Sequence, residues 1–201
     1  MVQTPSTMMP IGTSAPVFRL REPATGKTWT LADFRSPTVV VMFICNHCPF
    51  VVHVRDEITR IAAEYGARGV DFVAINSNSV ETHPQDGPEH MAALARELCW
   101  KFPFLFDETQ EVAKAYHAAC TPDFFVFESE RKLFYRGQLD DSRPSNGRPV
   151  TGVDLCAALD AAIAGRRPPV DQKPSIGCNI KWKPGNEPDY FTAFISSRKT
   201  D

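Results

Sequence analysis

The chain lacks the features that mark several large classes of protein. It holds no run of about eighteen apolar residues, so no membrane-spanning helix is expected. Its formal charge at pH 7 is only −2. That leaves no electrostatic case for a nucleic-acid or anionic-membrane partner. The opening MVQTPSTMMPIGTSAP has neither a basic start nor an apolar stretch, so it does not read as a secretory leader. No internal repeat or low-complexity tract stands out. A second closely spaced cysteine pair is also missing, whereas a structural zinc site takes four ligands. The expected compartment is therefore cytoplasmic. There, the six cysteines do not read as a structural disulfide framework, and a paired motif is catalytic or metal-binding.

What is present fits one domain with a full core and an appendage, since 43% of the 201 residues are hydrophobic. PVFRL, ATGK and TWTL read as two short strands around a Gly-containing turn. Thr38 to Ile44, TVVVMFI, is a β-branched run without alternation, which suits a central strand buried on both faces. After CNHCP, the residues Val51, Val54, Ile58, Ile61 and Tyr65 recur at helical spacing, with His53, Glu57, Arg60 and Glu64 opposite. Pro49 suits the first turn of that helix. VDFVAIN (70–76) reads as a second buried strand, and SNSVETHPQDGPEH as a polar surface loop. Helices are expected at about 89–100, 110–118 and 153–164. FPFLFD reads as a short strand, and DFFVF with KLFYRG as a hairpin. The fold class is α/β with a mixed sheet. Residues 1–165 form the domain, and 166–201 form a tail packed over it.

The chemistry concentrates in VMFICNHCPF. Cys45 ends the buried strand and Cys48 opens a helix. A helix N-terminus carries unpaired N–H groups and partial positive charge, and both favour a thiolate. His47 between the sulfurs adds a titratable cation. Two intervening residues let the sulfurs pair with little backbone movement. Four roles are open at this point: dithiol exchange, attack on a peroxide, metal ligation and core packing. Inside a βαβ pattern, the spacing reads as a thioredoxin-like redox motif.

The order GTSAPVFRL, LADF, VVVMFICNHCP, VAINSN, LFDETQEVAKAY, CTPDFFVF, YRGQLDDSRP and PSIGCNIKW resembles the thioredoxin-like proteins of the peroxiredoxin-related (AhpC/TSA, redoxin) superfamily. It is most similar to the peroxiredoxin-like branch that keeps a Cys-x-x-Cys. The resemblance spans about Gly12 to Trp182. It implies a thioredoxin-like fold with an N-terminal β-hairpin extension and a C-terminal tail. Cys45 falls on the attacking thiol and Cys48 on its resolving partner. Pro122 falls on a cis-proline facing the sulfurs, and Thr121 on the residue whose backbone meets substrate. Asn46 and Pro49 join these two as substrate contacts. The Asn46-His47 pair is similar to the Gly-His pair of disulfide isomerases, which implies a site more oxidising than thioredoxin. The chain departs from its relatives in two places. Val39 stands where thioredoxins carry a buried acid, and Cys45 stands where peroxiredoxins place a threonine.

The expected function is a thiol-disulfide oxidoreductase using the Cys45–Cys48 couple. A thiol-dependent peroxidase is the alternative, and a copper- or zinc-binding CNHC turn a further one. No cofactor is expected. The expected partners are a disulfide-bearing protein or small molecule and an external dithiol donor, with no nucleic acid and no membrane, in a monomer or weak homodimer. Cys178 and Cys120 are possible additional redox thiols, each with packing as the plainer reading. Cys99 and Cys156 are expected in the core. His53 is expected on a solvated helix face, and Arg136, Asp140 and Asp141 in a solvated loop.

Overall fold

The structure, a computed structural model, describes residues 3–192. The chain enters with a short strand β1 (Gln3–Pro5) and then the expected hairpin, β2 (Arg19–Arg21) against β3 (Thr28–Thr30). Gly26 sits in its turn at φ +76°, a left-handed conformation open to glycine at no steric cost. Thr30 and Asp33 then close a capping box over a turn of 3₁₀ helix, with Asp33 accepting from the Thr30 N–H at 2.7 Å.

Next comes β4 (Thr38–Phe43), in which every residue is buried. Its position explains this: β5 (Val70–Asn76) pairs with it in parallel on one side, and β8 (Asp123–Phe127) pairs antiparallel on the other. Successive side chains of a strand point to opposite faces. Val40 and Met42 accordingly enter one apolar cluster, and Val39, Val41 and Phe43 the other. A β-branched run without alternation is what a strand covered on both faces requires.

Helix α1 (Pro49–Gly66) connects β4 to β5. It buries Val51, Val54, Ile58, Ile61 and Tyr65, the stripe its sequence spacing predicts. Each such side chain, fully buried, is worth roughly 1.5–3 kcal/mol of transfer free energy. After β5 follow α2 (Pro88–Glu97), β6 (Phe104–Phe106), α3 (Glu111–Ala115), β7 (Cys120–Thr121), then β8, β9 (Leu133–Gly137), α4 (Val153–Ile163) and β10 (Ile176–Asn179). The main sheet has the order β3-β2-β6-β5-β4-β8-β9, and a second small sheet has the order β1-β10-β7. This second sheet ties both ends of the chain to the strand before Pro122. Residues 193–201 of the tail lie outside the described residues. Among the described residues, no helix is long and apolar enough to cross a membrane.

Several local expectations change. Helix α2 stops at Glu97, and Cys99 adopts φ +53°. That reversal seats Trp100 on Phe102 at 4.9 Å between ring centroids and leaves Cys99 exposed rather than in the core. Cys156 on α4 is half-buried, not core. Helix α3 is shorter than expected because His117, at φ +51°, turns the chain out of helix. The segment read as a surface loop has Ser77, Asn78, Ser79 and Asp86 buried.

The YRGQLDD loop is not solvated either. Asp140 is buried and accepts from the N–H groups of Ser142, Thr151 and Gly152 at 2.9, 2.6 and 2.7 Å. It thereby anchors the entry to α4. Arg136 is half-buried against Gln172 at 2.8 Å, while Asp141 stays at the surface in an ion pair with Arg148. His53 is only partly solvated, with Nε2 2.7 Å from the Ser142 hydroxyl.

Candidate active site

Strand β4 delivers Cys45 to the C-terminal edge of the parallel strands, where Ile44 still donates its N–H to Ile75 at 3.1 Å. Cys48 is the N-cap residue of α1, and Pro49 occupies the first turn. Cys45 and Cys48 are 1% and 0% exposed, so both sulfurs lie beneath the surface. All six cysteines are present as thiols rather than disulfides. The Thr121–Pro122 bond is cis and meets both sulfurs. The Thr121 hydroxyl is 3.6 Å from Cys45 Sγ, and Cys48 Sγ lies 3.2 Å from the Thr121 carbonyl oxygen, which accepts its S–H only while Cys48 is protonated.

The hydrogen bonds around the sulfurs are unequal. The pKa of Cys48 is held far below the usual thiol range, first because the Cys178 thiol donates to it, then because the Cys45 thiol does, with help from Thr121 and the Val51 N–H of the first helical turn. Cys45 is pushed up by donating that hydrogen bond to Cys48, then by burial and by the Asp86 carboxylate. The resemblance puts the attacking thiolate on Cys45, whereas the reduced state favours the anion on Cys48. The two statements connect through the shared S–H···S hydrogen bond. Moving its one proton from Cys45 to Cys48 shifts the anion to Cys45, so the pair titrates as a unit.

Asp86 was not found from sequence. It lies in the polar segment after β5 and is completely buried. Its Oδ1 accepts from the N–H groups of Asn46 at 2.9 Å and His47 at 3.2 Å. Its Oδ2 accepts from Asn78 Nδ2 at 2.8 Å and lies 2.6 Å from His47 Nδ1. Asn76 Nδ2 donates to its carbonyl at 2.7 Å, and Asn46 Nδ2 donates to Gln85 O at 3.1 Å. The whole CNHC turn is thus hung on one carboxylate. A buried carboxylate is tolerated only with donors of this kind. Outside it, the ring of His83 stacks on His47 at 5.0 Å. Burial, and then the neighbouring His47, push the His83 pKa down.

His47 Nδ1 also lies 4.0 Å from Cys45 Sγ. One ring nitrogen therefore faces both the acid and the sulfur. A proton relay through imidazole needs its two different nitrogens, so this arrangement orients the turn and supplies charge rather than relaying a proton.

The atoms of Cys45, His47 and Asp86 lie within 4.8 Å of one another, which raises the question of a metal. Bonds of about 2.0–2.3 Å to one tetrahedral ion would hold the nitrogen and oxygen about 3.3 Å apart. The 2.6 Å observed is a hydrogen bond, and the oxygens carry amide donors besides. His53, the other histidine considered for a metal, is turned to Ser142. As placed, Cys45, His47 and Asp86 do not fit a tetrahedral zinc site.

The remaining thiols separate. Cys178, in β10, is buried, faces Thr121 across the β10–β7 ladder and shares the apolar cluster of Cys45 and Cys48; the neighbouring Cys48 and burial push its pKa up. Cys120 is buried, with its S–H directed at the carbonyls of Pro122 and Ser175 at 3.7 and 4.0 Å. Burial raises its pKa, as expected of a packed thiol. A second acid that sequence reasoning missed is Asp123, fully buried directly after Pro122 and bonded by the Ser6 hydroxyl. Burial pushes its pKa up to about 7. Val39 is buried where thioredoxins carry an acid, and pairs with Phe127 at the far end of β8. Asp123 instead pairs with Phe43, at the sulfur end of the same ladder. An acid opening the apolar run DFFVF was the available signal.

A mixed sheet, a cysteine pair at a strand-to-helix junction and a cis-proline against it together define a thioredoxin-like protein. Within that class the Redoxin family model matches residues 10–151, and the chain belongs to the redoxin family. It is similar to an uncharacterized conserved protein from Geobacillus kaustophilus, with 57% identity, TM-score 0.90 and coverage of 92% of this chain and 98% of that one. A hypothetical protein, SMc02350, from Sinorhizobium meliloti 1021 is 48% identical, with TM-score 0.89 over 90% and 100% of the two chains. A thiol:disulfide interchange protein of the thioredoxin family from Chlorobium tepidum TLS shares the fold at 16% identity, with TM-score 0.59 over 76% and 97%. No curated protein matches the chain.

Proposed function

We propose that this redoxin-family protein is a thiol-disulfide oxidoreductase working through Cys45 and Cys48. The observation that carries the reading is the placement of Cys45 just past the end of β4 and Cys48 at the N-cap of α1, with Thr121 of the cis Thr121–Pro122 bond against both sulfurs at 3.6 and 3.2 Å. In the proposed cycle, the Cys45 thiolate attacks one sulfur of a substrate disulfide. A mixed disulfide forms, and the other substrate sulfur leaves as thiolate and takes up a proton. The Cys48 thiolate then attacks Cys45 Sγ, forming Cys45–Cys48 and releasing the second substrate thiol. Two electrons have passed to the substrate, and an external dithiol returns them. The Thr121–Pro122 backbone, Asn46 and Pro49 border the sulfurs and contact the substrate, a disulfide-bearing protein or small molecule. The His47–Asp86 pair holds the turn. The cycle uses no bound organic cofactor or metal and suits a reducing cytoplasm, with the protein acting as a monomer or weak homodimer.

A peroxidase reading is favoured by one observation: Cys48, whose pKa its neighbours lower, caps the N-terminus of α1 directly before Pro49. A peroxide is small enough to reach a buried sulfur. Attack of Cys48 on the O–O bond would give a sulfenic acid and water, or an alcohol from an organic peroxide. Condensation with Cys45 would then give the same disulfide and a water molecule.

The deciding experiment equilibrates the protein in dithiol buffers of graded potential, alkylates the remaining thiols and maps each cysteine by mass spectrometry. A Cys45–Cys48 disulfide that titrates reversibly is expected, together with reduction of a small disulfide that is lost in C45S. Full alkylation of both cysteines at every potential overturns the reading. Stoichiometric consumption of peroxide with a thiol donor, without disulfide reduction, replaces it with the peroxidase reading.

A further inference from the structure

Three sulfurs, not two, meet at the mouth of α1. Cys178 stands opposite Thr121 in the β10–β7 ladder, and the Thr121 carbonyl oxygen lies 3.2 Å from Cys48 Sγ. Cys178 and Cys48 therefore converge on one residue, Thr121. Cys45, Cys48 and Cys178 belong to one buried apolar cluster.

The approach of β10 is built into the sequence. A Cβ on Gly177 would lie 2.0 Å from Thr121 O and 3.2 Å from Pro122 N, so the strand can lie this close only with glycine there. The strand is also held from its far side. Gln3 of β1 pairs with Cys178, Ser6 donates its N–H to Ser175 O at 2.9 Å, and Ile180 donates its N–H to Ala119 O at 3.1 Å. The Ser175 hydroxyl donates to Gly137 O at 2.6 Å. Cys178 is thus placed by two ladders and a ring of backbone contacts beside Thr121, in the cluster that holds Cys48.

We infer that Cys178 is a second resolving thiol, and that Cys48 is the central sulfur of a three-thiol relay. The inference rests on the exchange reading above and deepens it. Once Cys45–Cys48 has formed, the Cys178 thiolate attacks Cys48 Sγ. The Cys48–Cys178 bond forms and the Cys45–Cys48 bond breaks. Cys45 leaves as the thiolate and takes up the proton that Cys178 gave up. No electrons enter or leave the protein in this step. The oxidised state is stored in a bond sealed under β10, and Cys45, nearest the His47 turn, is returned as a thiol. Reduction runs the step backward: Cys45 attacks Cys48, releases Cys178 and presents Cys45–Cys48 to the dithiol donor.

The test uses the full chain and three proteins: wild type, C45S and C178S. Each is oxidised with diamide, denatured, alkylated and mapped. Wild type is expected to give both Cys45–Cys48 and Cys48–Cys178 peptides. C45S is expected to give Cys48–Cys178 alone, with loss of alkylation at Cys178. C178S is expected to give Cys45–Cys48 alone. Complete alkylation of Cys178 in both oxidised wild type and C45S overturns the relay. Absence of Cys45–Cys48 from C178S and from wild type overturns the exchange reading instead, so the two failures are distinguishable. The wild-type map needs no substitution and stands even where a variant folds poorly.

Discussion

The carboxylate of Asp86 lies 2.6 Å from Nδ1 of His47, although 39 residues separate the two in the chain. The same carboxylate accepts the N–H groups of Asn46 and His47. The turn between the two cysteines is thus shaped from outside its own sequence, by an acid on the loop after β5.

The first prediction concerns that acid. Its charge raises the Cys45 pKa. D86N removes the charge and keeps one oxygen acceptor, so Cys45 should ionise at lower pH. The pH profile of iodoacetamide modification at Cys45 should move to lower pH in D86N. An unmoved profile would contradict the coupling. D86A, which strands several buried donors, should cost about 2–5 kcal/mol in urea unfolding, at roughly 1–3 kcal/mol for each unsatisfied group.

Cys48 provides the second. Its lowered pKa means that one thiolate persists at neutral pH, where ordinary cysteines with pKa about 8.5 are mostly protonated. Thiolate absorbance near 240 nm in the reduced protein should therefore remain at pH 7 and vanish in C48S. C178A removes the thiol that does most to lower it and should raise the titration midpoint. Identical absorbance in wild type and C48S at pH 7 would place the anion elsewhere.

The third prediction follows from Asp123, whose pKa is pushed from 3.8 up to about 7 by burial. The folded protein binds this proton more tightly than the unfolded chain does. Its contribution is therefore fully present below about pH 4, and is lost as pH rises to about 7. Cys48 contributes with the opposite sign over the same window, so the comparison must be differential. D123N should gain stability relative to wild type as pH rises from about 4 to about 7, by an amount on the order of a few kcal/mol. Chemical unfolding of both proteins across this range tests it. Parallel pH curves would refute it.

Gly177 gives a prediction that links packing to chemistry. G177A places a methyl group 2.0 Å from the Thr121 carbonyl. Strand β10 must move away, at a cost of about 1–3 kcal/mol typical of overpacking. Cys178 should withdraw with it, so the Cys48–Cys178 peptide should fall below its wild-type yield while Cys45–Cys48 persists. Unchanged stability and an unchanged peptide map would show that the contact is not tight.

Much of the scaffold was legible in the residues. The β-branched run at Thr38–Phe43 had to be a doubly covered strand, because its side chains leave neither face polar. The spacing of Val51, Val54, Ile58, Ile61 and Tyr65 set both the existence of α1 and the face it buries. The sulfurs at the junction of these two elements follow directly. These are local properties, carried by neighbours in the chain through the periods of strand and helix.

The rest was decided by contacts between distant residues, which periodicity does not encode. Polar composition marked the segment after β5 as a loop, yet Asp86 is buried because its acceptors meet donors of the CNHC turn. Asp140 is buried for the same reason at the start of α4. Cys178 was named from sequence as a possible redox thiol, but the Pro, Gly and Lys content around it announced a tail and gave no position. Its place beside Cys48 depends on β10 pairing with both β1 and β7, and on a glycine allowing that approach. Sequence determined where two sulfurs would be presented, since strand and helix formation are short-range. Tertiary structure decided what surrounds them, since a buried charge or thiol takes its hydrogen-bond partners from whichever segments the fold brings there.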